Sequence, residues 1–423
     1  EADVWAWDDS EDRRAEARTK GVEPTDLHHA NWREPVSLVI SPAVPHAAKD
    51  ADALVAKARE AGAEVISPAE VLARTQRDAR YVGITGGRGK ATTAALVQHC
   101  LNLSAHEAEI GGIPGAPTLG AYGLGPDGTY VLAMDPAALD ITFSITFDTA
   151  VILNGLGDGL SAEGLAPILH RQTSPRTAVI CIDEEPLLNL AETLKRKGEQ
   201  RVVTVSGTRP AVGGVYCQGG WLYDDMDGEN VKVMNLDQHE VLRGAHNQTN
   251  AAAAYAAARA EGVKPHQAMA CLSSWSGIAH RLEWVDCIDG VDYVNDSRAS
   301  RPDHVVDALT TALTIYWIGG GDGPKADWSG LNRAQDHLAA AFVYGREAGV
   351  IEKALKGATP IHHASNPTDA LARARQLALE EGRPNAVVMF SPGTPTKAGN
   401  GEFQDRGDAF KALVADLPGQ RDD

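Results

Sequence analysis

Between Tyr81 and Leu96 the chain reads YVGITGGRGKATTAAL. A β-branched run gives way to glycines, a lysine, and then a helical pattern of Thr and Ala. Backbone N–H groups of such a loop, backed by a helix N-terminus, favour a phosphate. A lysine at its end reaches the terminal phosphate oxygens. Thr85, Gly86, Gly87, Gly89 and Lys90 are therefore candidate nucleotide-binding residues. The spacing is not the regular GxxxxGK pattern, whose first glycine would fall on Ile84. A tight strand-to-helix turn that needs glycine would carry the same letters, so spacing alone leaves both readings open. The position after the lysine, where such loops usually carry a hydroxyl, is Ala91.

Three further stretches carry polar groups that could do chemistry. In LRGAHNQTNAAAAYAAARAEGV, His246, Asn247 and Asn250 open an alanine-rich helical run. Their amides could read a base or ribose, but Asn is also a good helix cap, and without context the cap reading is preferred. In AHRLEWVDCIDGVDYVNDSRASRPDHV, Asp296 and Ser297 follow a strand and precede a helix. They read either as an N-cap cluster or as polar groups at the C-terminal end of a parallel strand, where open α/β sheets bind ligands. Arg281, beside His280, could reach a phosphate. In MFSPGTPTKAGNGEFQDRGDAFKAL a glycine loop follows a strand, and Phe403, Phe410 and Leu413 fit one helix, where apolar residues are more often core than site.

The elements that must position these groups follow a simple rhythm. Short apolar runs (VSLVIS, YVGITG, AVILN, TAVICI, RVVTVS, TIYWIGG, NAVVMFS) alternate with Ala-rich amphipathic segments. Nearly continuous apolar strands imply sheets covered on both faces, and the alternation implies an α/β fold with mostly parallel strands. Two stretches break the pattern: GGVYCQGGWLYDD reads as an antiparallel hairpin, and Asp289-Gly290 as a tight hairpin turn. The opening EADVWAWDD reads as an abrupt strand, which suggests a preceding βα element outside this sequence. Three regions are expected: residues 1–78 with two βα units, 79–278 with the glycine loop and a longer sheet, and 279–423 with the hairpin and further βα units.

The 423 residues are 43% hydrophobic and 23% charged, as in ordinary globular domains. A net charge of −18 argues against a nucleic-acid or anionic-membrane binder, which needs a basic face. Five scattered cysteines without a CxxC pair give no support for a zinc or redox motif, and their odd number fits a reducing cytoplasm. No apolar run approaches the ~18 residues of a membrane span.

Taken in order, these stretches resemble the Mur ligases, the ATP-dependent enzymes of peptidoglycan precursor synthesis, and most of all the D-glutamate-adding branch. GITGGRGKATT is similar to GITGTNGKSTT, GGIPGAP to GGNIGTP, and SPAVP to SPGIP. LRGAHNQTNAAAAYAAA is similar to LxGxHNxxNAxAA, VNDSRAS to INDSKAT, IYWIGGGDGPKADWS to a GGxDKxxDFS-type segment, and FQDRGDAF to FExRGDxF, with HRLEWV matching HRxE. The resemblance spans nearly the whole chain and implies three domains: a Rossmann-like N-terminal one for the UDP-sugar, a central one like P-loop ATPases for ATP and Mg²⁺, and a Rossmann-like C-terminal one for the amino acid. It implies UDP-N-acetylmuramoyl-L-alanine and D-glutamate as substrates, no nucleic-acid or membrane partner, a cytoplasmic location and a monomer. It assigns Thr85, Gly86, Gly87, Gly89, Lys90, Thr92, His246, Asn247, Asn250, Arg281 and Asp296 to ATP. It assigns Ser297, Arg298, Ser300, Lys325, Thr396 and Phe403 to the amino acid, and Lys90 and Asp158 to catalysis.

Several family positions differ, and they cluster on metal handling. The hydroxyl after Lys90 is Ala91, which leaves Thr92 next door as a metal-side oxygen. The metal-ligating Glu of ELSSxQL is Ala133, and Asp135 would point to the opposite face if the strand continued. In NxxxDHxDR, Asn154 and Asp158 match but the His position is Gly159; the Asn of GGNIG is Ile113. No lysine lies between Lys90 and Lys195, where the family places a carbamylated one, and His170 and Arg171 cannot replace it. Arg298 and Ser300 stand for Lys and Thr. The expected function is ATP-dependent ligation; the alternative is a non-catalytic relative that binds a nucleotide or a protein. A folate-type relative fits HRLEWV and NDSRAS less well.

Overall fold

The computed structural model describes the chain except residues 1–2, 10, 20, 33–36, 42–43, 45–51, 114–115, 157–159, 240, 311, 324–325, 356, 358, 396–402 and 422–423. Two compact units form, one from Glu1–Trp7 with Thr25–Trp275 and one from Asp8–Pro24 with Ser276–Asp423.

The first unit contains a nine-stranded sheet. From one edge to the other its strands are Val231–Asn235, Trp221–Asp224, Val215–Gln218, Arg201–Ser206, Thr177–Cys181, Thr149–Ile152, Arg80–Thr85, Thr129–Ala133 and Ala108–Gly111. Pairing is parallel from Val215–Gln218 through to Ala108–Gly111 and antiparallel in the hairpin edge. Strand Arg80–Thr85 lies inside the sheet, between Thr129–Ala133 and Thr149–Ile152, and everything after Arg80 in it is buried. This explains its unbroken apolar run, since both faces are covered. Helix Lys90–Leu103 follows directly and packs against helix Ala245–Ala260, whose residues from Gln248 to Ala258 are all buried. Alanine side chains let these helices and the sheet approach closely. A separate two-stranded parallel sheet pairs Ser37–Val39 with Glu64–Ile66, each followed by a helix, Ala53–Glu60 and Pro68–Thr75.

The second unit contains a six-stranded sheet in the order Glu283–Ile288, Val291–Asn295, Ala386–Phe390, Thr314–Gly320, Leu338–Tyr344, Ile361–His363. Its first pair is the expected hairpin. Asp289 (φ 54°) and Gly290 (φ 74°) both take positive φ, as a two-residue turn matched to strand twist requires. Phe410 stacks on Phe390 at 5.0 Å between ring centroids and Leu413 packs beside the same core, which is the apolar role expected for both.

Three local expectations fail. The described part of the opening, from Asp3 to Asp9, forms no strand, and helix Glu11–Thr19 follows it. None of His246, Asn247 and Asn250 caps its helix; the N-cap is Gly244, at φ 89° with no side-chain bond. Asp296 and Ser297 cap nothing either, because the next helix, Pro302–Leu309, begins after Arg301.

Candidate functional site

The glycine loop is held by contacts that exclude side chains. Gly86 takes φ 132°, and a Cβ there would lie 2.8 Å from the Leu153 carbonyl oxygen. A Cβ on Gly87 would lie 2.8 Å from Gly155 Cα, and the Gly87 N–H donates to the Asn154 carbonyl at 3.0 Å. Gly89, at φ 88°, is the N-cap of helix Lys90–Leu103, and its Cβ would fall 2.1 Å from Asn250 Oδ1. The glycines are thus required by the turn and by two neighbouring segments.

Lys90 folds back over this loop. Its Nζ donates to the Gly86 carbonyl at 2.7 Å and the Gly87 carbonyl at 3.0 Å. Burial pulls its pKa below the usual lysine value, and the Asp135 carboxylate offsets part of that shift. This corrects the reading of Asp135. The strand ends at Ala133, so strand alternation no longer governs it; Asp135 is the exposed N-cap of the short helix Pro136–Leu139 and its charge acts on Lys90.

Around the loop several buried polar atoms have no hydrogen-bond partner: Thr85 Oγ1, Thr93 Oγ1, Asn154 Oδ1 and Asn250 Nδ2. Unpaired buried polar atoms are costly and rare in folded proteins. Four gathered at a glycine loop suit a polar ligand. Thr93 was not singled out in the sequence; it sits one residue past Thr92, which is half-buried on the first helical turn. Asn247 instead donates to the Val241 carbonyl at 3.0 Å and the Arg243 carbonyl at 3.3 Å, so its amide orders the helix approach. His246 is exposed.

Asp183 and Glu184 were also missed, although a strand ending in CIDEE is a visible signal. The Asp183 carboxylate accepts from Asn154 Nδ2 (3.2 Å), Gly207 N (3.1 Å), Thr208 Oγ1 (3.0 Å) and Ser206 Oγ. Burial raises its pKa, but these donors more than offset it and leave the carboxyl below its usual range. Glu184 accepts from the Gly155 and Leu156 N–H groups at about 3.1 Å.

The second unit gathers another group of the expected residues. Asp296 is buried; its carboxylate accepts from Ser391 Oγ at 2.6 Å and Leu282 N at 3.2 Å. Burial pushes its pKa up to about 7, against those donors and the charges of Arg281 and Arg406. Ser297 is fully buried, with Oγ 3.3 Å from His280 Nδ1. The Arg298 guanidinium lies 5.5 Å from the centre of the Phe403 ring, and His280 meets the same ring edge-on at 5.7 Å. Burial, then the neighbouring Arg281 charge, bring the Arg298 pKa down to about 10. Arg281 is exposed and Ser300 half-buried. Arg406, within the FQDRGDAF stretch, donates to the Ser297, Ala299 and Thr394 carbonyls and so ties two strand-end loops together. Asp158, Gly159, Lys325 and Thr396 lie outside the described residues.

Known proteins match the sequence along nearly the whole chain. The UDP-N-acetylmuramoylalanine–D-glutamate ligase of Rhodospirillum rubrum is 35% identical over 98% of this chain and 90% of its own. That of Phenylobacterium zucineum is 34% identical over 100% and 93%. The chain belongs to the UDP-N-acetylmuramoylalanine–D-glutamate ligase family. The fold agrees: UDP-N-acetylmuramate–alanine ligase MurC of Thermotoga maritima superposes with a TM-score of 0.57 at 18% identity, covering 95% of this chain and 91% of that one. No protein-family model matches the chain.

Among the described residues, the glycine loop has a poor donor set for a divalent cation beside it. Mg²⁺ is usually held by one or two carboxylates besides phosphates and water. Here Ala91 and Ala133 present methyl groups, and Asp183 and Glu184 are taken up by protein donors. Among the described residues no three His, Cys, Asp or Glu side chains gather where they could hold a metal ion. The described residues around the loop do not fit Mg²⁺. Among the described residues no helix is long and apolar enough to cross a membrane.

Proposed function

We propose that this chain joins D-glutamate to UDP-N-acetylmuramoyl-L-alanine at the expense of ATP, a step in peptidoglycan precursor synthesis, as a cytoplasmic monomer. The observation that carries the reading is its near full-length relationship to enzymes of that name. In the proposed reaction the carboxylate of the UDP-sugar–alanine attacks the γ-phosphorus of ATP and ADP leaves. The amine of D-glutamate then attacks the acyl carbon of the resulting acyl phosphate, the amide forms, and phosphate leaves. The division into residues 1–78 for the UDP-sugar, 79–278 for ATP and 279–423 for the amino acid is part of this proposal.

Within it, the Gly86–Gly89 amides and Lys90 hold the terminal phosphates, and Lys90 exchanges its loop carbonyls for phosphate oxygens. Thr85, Thr92, His246, Asn247, Asn250, Arg281 and Asp296 complete the nucleotide contacts. Ser297, Arg298, Ser300 and Phe403, with Lys325 and Thr396, receive D-glutamate; Asp158 assists at the reacting centre. The orphaned Thr85, Asn154 and Asn250 atoms support the nucleotide part, and the guanidinium of Arg298 supports binding of a dicarboxylate.

Ala91 and Ala133 favour one second reading: a relative that binds nucleotide without turning it over. The experiment that separates the two is phosphate release by the purified protein. The ligase reading expects release only when ATP, UDP-N-acetylmuramoyl-L-alanine and D-glutamate are all present with Mg²⁺ in the buffer. Binding of ATP without any release supports the second reading.

A further inference from the structure

We infer that the nucleotide site takes a nucleoside triphosphate without a protein-held divalent cation, the phosphate charge being met by Lys90 and the N–H groups of its loop. The inference rests on the nucleotide-binding part of the proposed function and not on turnover.

Three observations carry it. First, two positions that flank the loop, where a carboxylate or hydroxyl could reach a cation, are hydrocarbon. Ala91 is the first residue after Lys90, and Ala133 ends the neighbouring strand opposite Ile84, one residue before Thr85. Second, the carboxylates on the other flank are already spoken for. Asp183 takes hydrogen bonds from Asn154, Ser206, Gly207 and Thr208, and Glu184 from the Gly155 and Leu156 amides. Withdrawing either for a metal would orphan several donors at once, at a cost even in this half-buried setting. Third, the groups left facing the loop suit an anion. Lys90 is half-buried among the loop carbonyls, and Asn250 holds an unpaired Nδ2 donor against Gly89, whereas the unpaired oxygens of Thr85, Thr93 and Asn154 are neutral and Mg²⁺ is usually held through carboxylates. Asp135 is the described carboxylate whose charge reaches Lys90, and one of its oxygens already caps a helix at Ala137 N, 3.2 Å away. One exposed carboxylate provides little hold on a cation that demands near-octahedral oxygens.

The test is calorimetric titration of the full chain with ATP alone, in EDTA and in excess Mg²⁺, with no other substrate. The inference expects ATP to bind in EDTA at least as tightly as in Mg²⁺, where the nucleotide carries its own cation and less charge, whereas a protein-held Mg²⁺ would tighten binding by about tenfold or more in the Mg²⁺ buffer. Lys90→Met should weaken binding by about thirtyfold or more in both buffers, since it removes a charged hydrogen-bond donor. Ala133→Glu should create a tightening by Mg²⁺ that the parent lacks. Because a new carboxylate at a buried position can prevent folding, Asp135→Asn serves as the second variant and should leave the EDTA-to-Mg²⁺ ratio unchanged. Tightening of the parent by tenfold or more in Mg²⁺ overturns the inference, and loss of that tightening in Asp135→Asn would then make Asp135 the metal ligand. Absence of ATP binding in both buffers overturns both this inference and the nucleotide-binding part of the proposed function. Binding in EDTA at least as tight as in Mg²⁺, without phosphate release, upholds the inference and defeats only the ligase reading.

Discussion

Gly89→Ala tests the way the glycine loop is held. The new methyl would sit 2.1 Å from Asn250 Oδ1, where ordinary contact begins at 3.4 Å, so the pair must part by about 1.3 Å. Asn250 cannot swing away freely, since it is 2% exposed within helix Ala245–Ala260. Overpacking of this kind costs about 1–3 kcal/mol. The backbone adds its own penalty, because φ 88° places an alanine in left-handed space at about 1–2 kcal/mol. The variant should therefore lose about 2–5 kcal/mol of unfolding free energy. In an Asn250→Ala background the clash is gone and only the backbone penalty of about 1–2 kcal/mol remains. Asn250→Ala alone should change ligand-free stability by no more than about 1 kcal/mol, since it deletes a buried donor that has no partner, yet weaken ATP binding about tenfold. Urea denaturation of the four proteins in the cycle, with calorimetry for ATP, measures every term. If Gly89→Ala costs the same in both backgrounds to within about 0.5 kcal/mol, Asn250 does not buttress the loop and the reasoning fails.

Other perturbations probe the rest of the molecule. The folded-state pKa of Asp296 lies above its unfolded value, so its contribution to stability is full below about pH 4 and is lost as pH rises through about 7. Asp296→Asn should flatten that decline, seen as melting temperatures that diverge from the parent between those limits; parallel curves would contradict it. Glu70 is fully buried and accepts from Phe143 N (2.6 Å), Ser144 N (2.7 Å) and Ser144 Oγ (2.5 Å). Glu70→Ala leaves those donors without it and should cost about 3–5 kcal/mol in denaturant titrations; a change under about 1 kcal/mol would mean the segment re-pairs with water. Phe403→Ala removes the ring beneath Arg298 and should raise the KM for D-glutamate about tenfold, with the KM for ATP unchanged. Equal effects on both would show a general structural role.

Much of this was legible from residue order. Six parallel strands of the two main sheets follow the apolar runs, because strands covered on both faces need continuous hydrophobicity. The hairpin turn at Asp289-Gly290 is local chemistry and is written in two letters. What the sequence hid was pairing across long separations. Asn250 reads as a cap until the chain brings it against Gly89, 161 positions earlier. Asp135 reads as pointing away because alternation assumes a strand that in fact ends at Ala133. Thr93, Asp183 and Arg406 are ordinary letters whose importance comes from what they face. The cap readings of Asp296 and Ser297 fail for a similar reason: the helix starts later, and both side chains turn inward to Ser391 and His280.

The measurement that bears most directly on the central claim is mass spectrometry of the complete reaction, with UDP-N-acetylmuramoyl-L-alanine carrying a heavy-oxygen label in its carboxylate. Ligation through an acyl phosphate predicts a product enlarged by one D-glutamate residue and one labelled oxygen in the released phosphate. Binding of ATP with neither product nor labelled phosphate would contradict it.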